Sequence, residues 1–104
     1  MAAIVSIGVW RPHAGRLQDF MGGVARAKKI HERLRGKVRV FNSQFGGEPF
    51  SIRYVIEYAD WKAFGELGAK LETDAEWLAL VAEFTRDPSA DLVSSQVAVE
   101  VPVG

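Results

Sequence analysis

The chain contains no cysteine, which removes disulfides, thiolate nucleophiles and cysteine-ligated zinc or iron–sulfur centres and fits a reducing cytoplasm. Its two histidines and scattered acids do not make a metal cluster, and no Ser-His-Asp arrangement can be assembled from them. No apolar run approaches the roughly 18–20 residues needed to cross a bilayer. The opening MAAIVSIGVWRP has no basic segment ahead of its short apolar run, so we expect an unprocessed, cytoplasmic protein without a membrane partner. Gly46-Gly47 is a hairpin turn with no helix behind it to receive a phosphate, so it is not a phosphate-binding loop.

What is present is an ordinary globular composition, 48% hydrophobic and 25% charged in 104 residues, read as a single domain over 1–104 with room for a core. The net charge is zero, yet from Arg11 to Arg53 ten Lys or Arg stand against three acids, and from Tyr54 onward three stand against ten. A nucleic-acid protein would interleave aromatics among its basic residues; RAKKIHERLRGKVR does not, so no nucleic-acid partner is expected. The split suits a basic first helix beside an acidic second one, or facing one across a dimer interface.

Periodicity sets the elements. Residues 3–10 alternate as a first strand, apolar on both sides. From Arg16 to Leu34 apolar residues recur at three and four, predicting a helix that Gly36 stops in the left-handed conformation. Gly22-Gly23 inside it costs about 1 kcal/mol per glycine relative to alanine, which points either to a close approach or to an unconstrained surface. Residues 37–45 form a second strand and Gly46 to Pro49 a hairpin turn. Phe50, Ile52, Tyr54, Ile56 and Tyr58 then share one face of a third strand, with Ser51, Arg53, Val55 and Glu57 on the other. Asp60 stands as the N-cap of a second helix. Thr73 and Glu76 form a capping box where that helix breaks and restarts, Asp87-Pro88 ends it, residues 88–95 connect, and Val97, Val99, Val101 and Val103 alternate as a last strand.

The order predicts an α+β fold, a ferredoxin-like βαββαβ plait with a four-stranded antiparallel sheet and both helices on one face. The other face would be largely apolar, and a second copy packed sheet to sheet would cover it. With this order in about a hundred residues, the strand-to-helix passage IEYADWKAFGELGAKL and the ending DAEWLALVAEF…PSADLVSSQVAVEVP, the chain resembles the dimeric α/β-barrel proteins. These include antibiotic-biosynthesis-monooxygenase-like, NIPSNAP-like and stress-responsive barrel proteins. The resemblance implies a homodimer with pockets between helices and sheet or inside the barrel. Among such proteins are cofactor-free oxygenases of quinone-forming aromatics, haem-degrading enzymes and proteins without known activity. His31, Asn42 and Trp77 supply the residue types of haem degradation, but their spacing does not match it.

Seven residues are candidates for a site. His31, on the apolar stripe of the first helix, is either a base or metal ligand, or a buried histidine satisfied by one hydrogen bond. His13 lies in a connection that forms the mouth of a pocket in some plaits, or is an ordinary loop histidine. Asn42 could orient a carbonyl or a dioxygen-derived oxygen, or feed the turn. Arg53 could hold an anionic substrate, or pair with Glu57 or across the dimer. Tyr54, Trp10 and Trp77 line an aromatic pocket or simply belong to the core. The leading expectation is a homodimer that binds a small, partly aromatic molecule and oxidises it without a cofactor, His31 acting as base. The alternative is a non-catalytic ligand-binding or stress-associated dimer whose pocket is small or filled.

Overall fold

The computed structural model describes residues 2–104. Strand β1 (Ile4–Pro12) leads into helix α1 (Leu17–Arg33), strands β2 (Lys37–Asn42) and β3 (Ile52–Tyr58), helices α2 (Trp61–Leu71) and α3 (Ala75–Arg86), and strand β4 (Ala90–Val99). All sheet pairings are antiparallel, in the order β2-β3-β1-β4. This is the ferredoxin-like α+β plait, with the second helical segment divided in two. Among the described residues no helix is long and apolar enough to cross a membrane.

Strand alternation puts Ile4, Val38, Ile56 and Tyr58 on the helix-facing side, where they bury together with Leu67 of α2. A second cluster gathers Ile52 and Ala90 with Phe20 and Val24 of α1. Each fully buried aliphatic side chain stabilises the fold by about 1.5–3 kcal/mol. The opposite face carries Val5, Ile7 and Val9 on β1 in register with Glu57, Val55 and Arg53 on β3.

Several local expectations change. Helix α1 ends with Arg35, not Gly36, in the left-handed region at φ 79°. The Gly36 amide donates to the His31 carbonyl at 2.8 Å and the Arg35 amide to Glu32, the paired bonds of a Schellman end. Gly36 is required for space: a Cβ there would lie 2.9 Å from Ile56 Cγ2 and 3.0 Å from Leu67 Cδ1. The opposite holds at Gly22 and Gly23, where a Cβ would meet nothing within 4 Å, so the close approach considered from sequence is absent.

The N-cap of α3 is Asp74, whose Oδ1 accepts from the Trp77 amide at 2.9 Å, and not Thr73. Asp60 caps α2 as expected, accepting from the Ala63 amide at 2.8 Å. Phe50 does not join the β3 face; it has φ 56° and is 86% exposed in the loop before the strand. Strand β4 begins at Ala90, inside the expected connector, and stops at Val99. Its ladder with β1 runs from Pro12↔Ala90 to Ile4↔Val99, so Val101 and Val103 lie beyond the partner strand and are exposed.

The uneven charge joins α1 to α3. Arg16 pairs with Asp87, Arg26 with Glu83, and Arg33 with Asp74 and Glu76. These pairs link the start, middle and end of α1 to the end, middle and start of α3. The expectation of a basic helix beside an acidic one is met within a single chain. None of the residues of α3 is fully buried.

Candidate functional site

Between α1, α3 and strands β1, β3 and β4 lies an open cavity of about 920 Å³. His31 and Tyr54 line it from α1 and β3. His31 comes from the last turn of α1 and is buried, 4% exposed; its Nδ1 lies 2.7 Å from the Tyr54 hydroxyl, which projects from the helix-facing side of β3. Trp77 packs against the same imidazole, ring centroids 4.8 Å apart. Its backbone is fixed there by Asp74, which also accepts from Arg33 at 2.8 Å. That carboxyl is held below its ordinary range, by the Trp77 amide first and Arg33 second.

Burial disfavours the charged forms of both dyad members. The His31 imidazole is lowered to about 4, with the Ala27 backbone pulling weakly the other way. The Tyr54 phenol is pushed up, chiefly by burial and then by the negative charge of Glu32. At neutral pH the dyad is therefore an uncharged imidazole hydrogen-bonded to an uncharged phenol. If Tyr54 donates to Nδ1, Nε2 carries the ring proton; if Nδ1 donates to the Tyr54 oxygen, Nε2 keeps a free lone pair.

The remaining walls are apolar and aromatic. Trp10 stacks near Phe20, with centroids 5.7 Å apart, and meets Phe84 edge-on at 5.6 Å. The floor is thinned by Ser6, Gly8 and Ser95, and the α1 wall by Gly22, Gly23 and Ala27. At the rim stand the Arg16–Asp87 and Arg26–Glu83 pairs.

Of the seven residues singled out from sequence, the fold brings His31, Tyr54, Trp10 and Trp77 around this one cavity and leaves three outside it. His13 lies across the Pro12–Ala90 end of the sheet, its Nε2 3.0 Å from Asp91 Oδ1. Asn42 is exposed at the end of β2, paired with Ile52. Arg53 is on the opposite face of the sheet, registered against Val9. Sequence reasoning overlooked Phe20, Phe84, Gly8 and Ser95 as wall residues. Phe20 and Phe84 read as ordinary stripe residues, and only the sheet register places Gly8 against Ser95. Among the described residues no three His, Cys, Asp or Glu side chains are grouped to hold a metal.

Neither a protein-family model nor a curated protein matches the sequence. Solved structures do match, and they fall in the superfamily expected from sequence. A NIPSNAP family protein from Agrobacterium tumefaciens aligns over 97% of this chain and 93% of its own, with TM-score 0.73 and 20% identity. A NIPSNAP domain protein from Burkholderia xenovorans, described as uncharacterized, aligns over 96% and 94%, with TM-score 0.72 and 19% identity. A variant of SnoaB, a cofactor-independent oxygenase from Streptomyces nogalater, aligns over 96% and 92%, with TM-score 0.60 and 16% identity. At these identities the likeness is one of fold.

Proposed function

We propose that the cavity binds a small, partly aromatic molecule and that the protein oxidises it with dioxygen and no bound cofactor. The observation that supports this most is the neutral His31–Tyr54 pair lining an aromatic-walled cavity. In this reading His31 takes a phenolic or carbon-bound proton from the ligand. Although the imidazole is a weak base in the empty cavity, a ligand anion beside it favours the imidazolium and raises its proton affinity at the moment of transfer. The electron-rich anion then reduces dioxygen and a carbon–oxygen bond forms. The peroxide is reprotonated and its O–O bond breaks with loss of water, so a methylene becomes a carbonyl and one dioxygen yields one water. The chain contributes position and a dry wall.

The depressed proton affinity of His31 in the empty cavity also favours a second reading, a binding protein without turnover. Dioxygen consumption separates the two. Across phenol, 1-naphthol and 9-anthrone, turnover by the native protein should fall about 10²- to 10⁴-fold in His31→Ala with binding retained. Binding that persists with no turnover in either form moves the assignment to the second reading.

We propose further that the chain works as a homodimer closed through the open sheet face. Supporting this are the half-buried aliphatic residues Val5, Ile7 and Val55 and the charges of both signs around them, Arg39, Arg53 and Glu57, which allow a face to complement its own copy. Sedimentation at micromolar concentration is expected to give a species of twice 11.5 kDa; a single species at the chain mass would remove the proposal.

A further inference from the structure

Helix α1 buries Phe20, Val24 and Ile30 and α2 buries Leu67, whereas no residue of α3 is fully buried. Its inward side chains Trp77, Leu80 and Phe84 line the cavity instead. What ties α3 to α1 is the row of ion pairs between them, and that row is not uniform. Arg16, Arg26, Glu83 and Asp87 line the cavity, while Arg33, Asp74 and Glu76 do not. The Arg33 end is also held more closely, because Asp74 is at once the N-cap of α3 and an acceptor from Arg33. The Asp74 side chain is 11% exposed, against 49% and 73% for Glu83 and Asp87. The row thus has a fixed corner and a free stretch along the cavity.

Both ends of α3 carry joints able to turn. Between α2 and α3 the Thr73 and Asp74 amides reach the Lys70 and Leu71 carbonyls at 3.3 Å each, longer than a well-formed amide bond of about 2.9–3.0 Å. At the far end Asp87 leaves helical geometry at φ −144°, ψ 76°, and Pro88 has no amide to bond. Ser89 is then fixed, its carbonyl accepting from the His13 amide at 2.8 Å.

We propose that α3 is a lid over the cavity, latched by the Arg16–Asp87 and Arg26–Glu83 pairs: when these part, the helix turns about the joints at 72–74 and 87–88 and widens the mouth. Arg16 Nε is held by Asp19 on its own helix at 2.7 Å while its other two nitrogens bond Asp87 Oδ1 and Oδ2 at 3.0 Å. The guanidinium therefore stays aimed when Asp87 leaves, and the latch recloses without a search. Exposed pairs are weak singly and are screened by salt, which makes opening reversible and sensitive to ionic strength. The lid governs access to the cavity, whether its occupant is oxidised or only bound.

Access is measured with acrylamide, a neutral quencher whose own approach does not depend on salt, in a chain carrying Trp61→Phe. That substitution removes the tryptophan that does not line the cavity and leaves Trp10 and Trp77 as reporters in its wall. Raising NaCl from about 20 mM to about 500 mM shortens the screening length from about 20 Å to about 4 Å. We expect the quenching constant to rise about twofold with the helical circular dichroism unchanged. In Glu83→Gln with Asp87→Asn it should already be high at low salt and no longer respond. Exchanging the charges of one pair, Arg26→Glu with Glu83→Arg, should restore the low value and its salt response. An unchanged constant at both salt concentrations in the chain with the latch intact would overturn the lid, as would an equal salt response in the chain without the latch carboxylates. A rise accompanied by lost helical signal would also overturn it, since α3 would then be unfolding and not turning. None of these outcomes depends on dioxygen consumption, so the lid and the proposed activity stand or fall separately.

Discussion

Lowering the pH from 7 to 4 is expected to remove on the order of 2–3 kcal/mol of stability through His31 alone. In the folded chain burial lowers this imidazole to about 4 from the ordinary 6.5. Between those two values the unfolded chain holds a proton that the folded chain does not. Stability from this group is therefore complete above about 6.5, declines as the pH falls, and levels off below about 4. Carboxylates such as Asp74, Glu83 and Asp87, all lowered by their arginine or amide partners, also lose stability toward acid pH, but they do so in any variant. Urea unfolding of the native protein and of His31→Leu at pH 7, 5.5 and 4 isolates the histidine. The gap between the two should change by the stated amount in favour of the variant. Parallel pH dependences would show that the imidazole is not held neutral. Removing the ring also leaves the Tyr54 hydroxyl without its partner, a fixed offset that drops out of the slope. The same lowered value means that, in turnover, the His31 limb of kcat/KM should fall near pH 4 and not near 6.5.

The pairing partners explain why the fold was legible and where it was not. Period-two runs such as Ile52, Tyr54, Ile56, Tyr58 declare a strand because one face must bury, and Asp60 declares the following helix by its own chemistry. Strand β4 differs from its expected span at both ends for a definite reason. Its register against β1 shifts between Val9 and Trp10, with Ser94 opposite the first and Leu92 opposite the second, so Val93 is an extra residue that changes the alternation from even to odd positions. Read from Gln96 onward the period is unbroken and runs past the end of β1; read backward it fails at the bulge. Phe50 reads as part of β3 in sequence because a hydrophobic residue in phase is indistinguishable from a strand residue until the loop is seen to turn through it.

The site was half legible. An imidazole on an apolar helical stripe is a local fact, and its alignment with Tyr54 follows once α1 covers β3. Asn42 and Arg53 lie outside this cavity for different reasons. Asn42 shares the helix-facing phase of β2 but sits exposed at the end of that edge strand, whereas Arg53 has the opposite phase to Tyr54 and so cannot face the same layer. The absence of bulk at Gly23 has no meaning in sequence until the facing atoms are known, because the same glycine signals close contact in one setting and a void in another.

That ambiguity gives the second large effect, since one substitution made at two glycines should act in opposite directions. Gly36→Ala is expected to destabilise by about 1–3 kcal/mol, the range for overpacking a filled core. The new methyl would press on Ile56 and Leu67, which are 5% and 3% exposed. It would also sit 3.2 Å from the His31 carbonyl, which already accepts the Gly36 amide and cannot withdraw without losing the end of α1. Gly23→Ala removes backbone freedom from the unfolded chain and adds a methyl that meets no neighbour, so it should stabilise by about 0.5–1 kcal/mol. Chemical denaturation of both variants at pH 7 measures the contrast directly. A stabilised Gly36→Ala would mean that the turn between α1 and β2 is not in the close contact with β3 and α2 described. A destabilised Gly23→Ala would mean that the α1 wall is packed in solution, and the cavity beside His31 would then be closed.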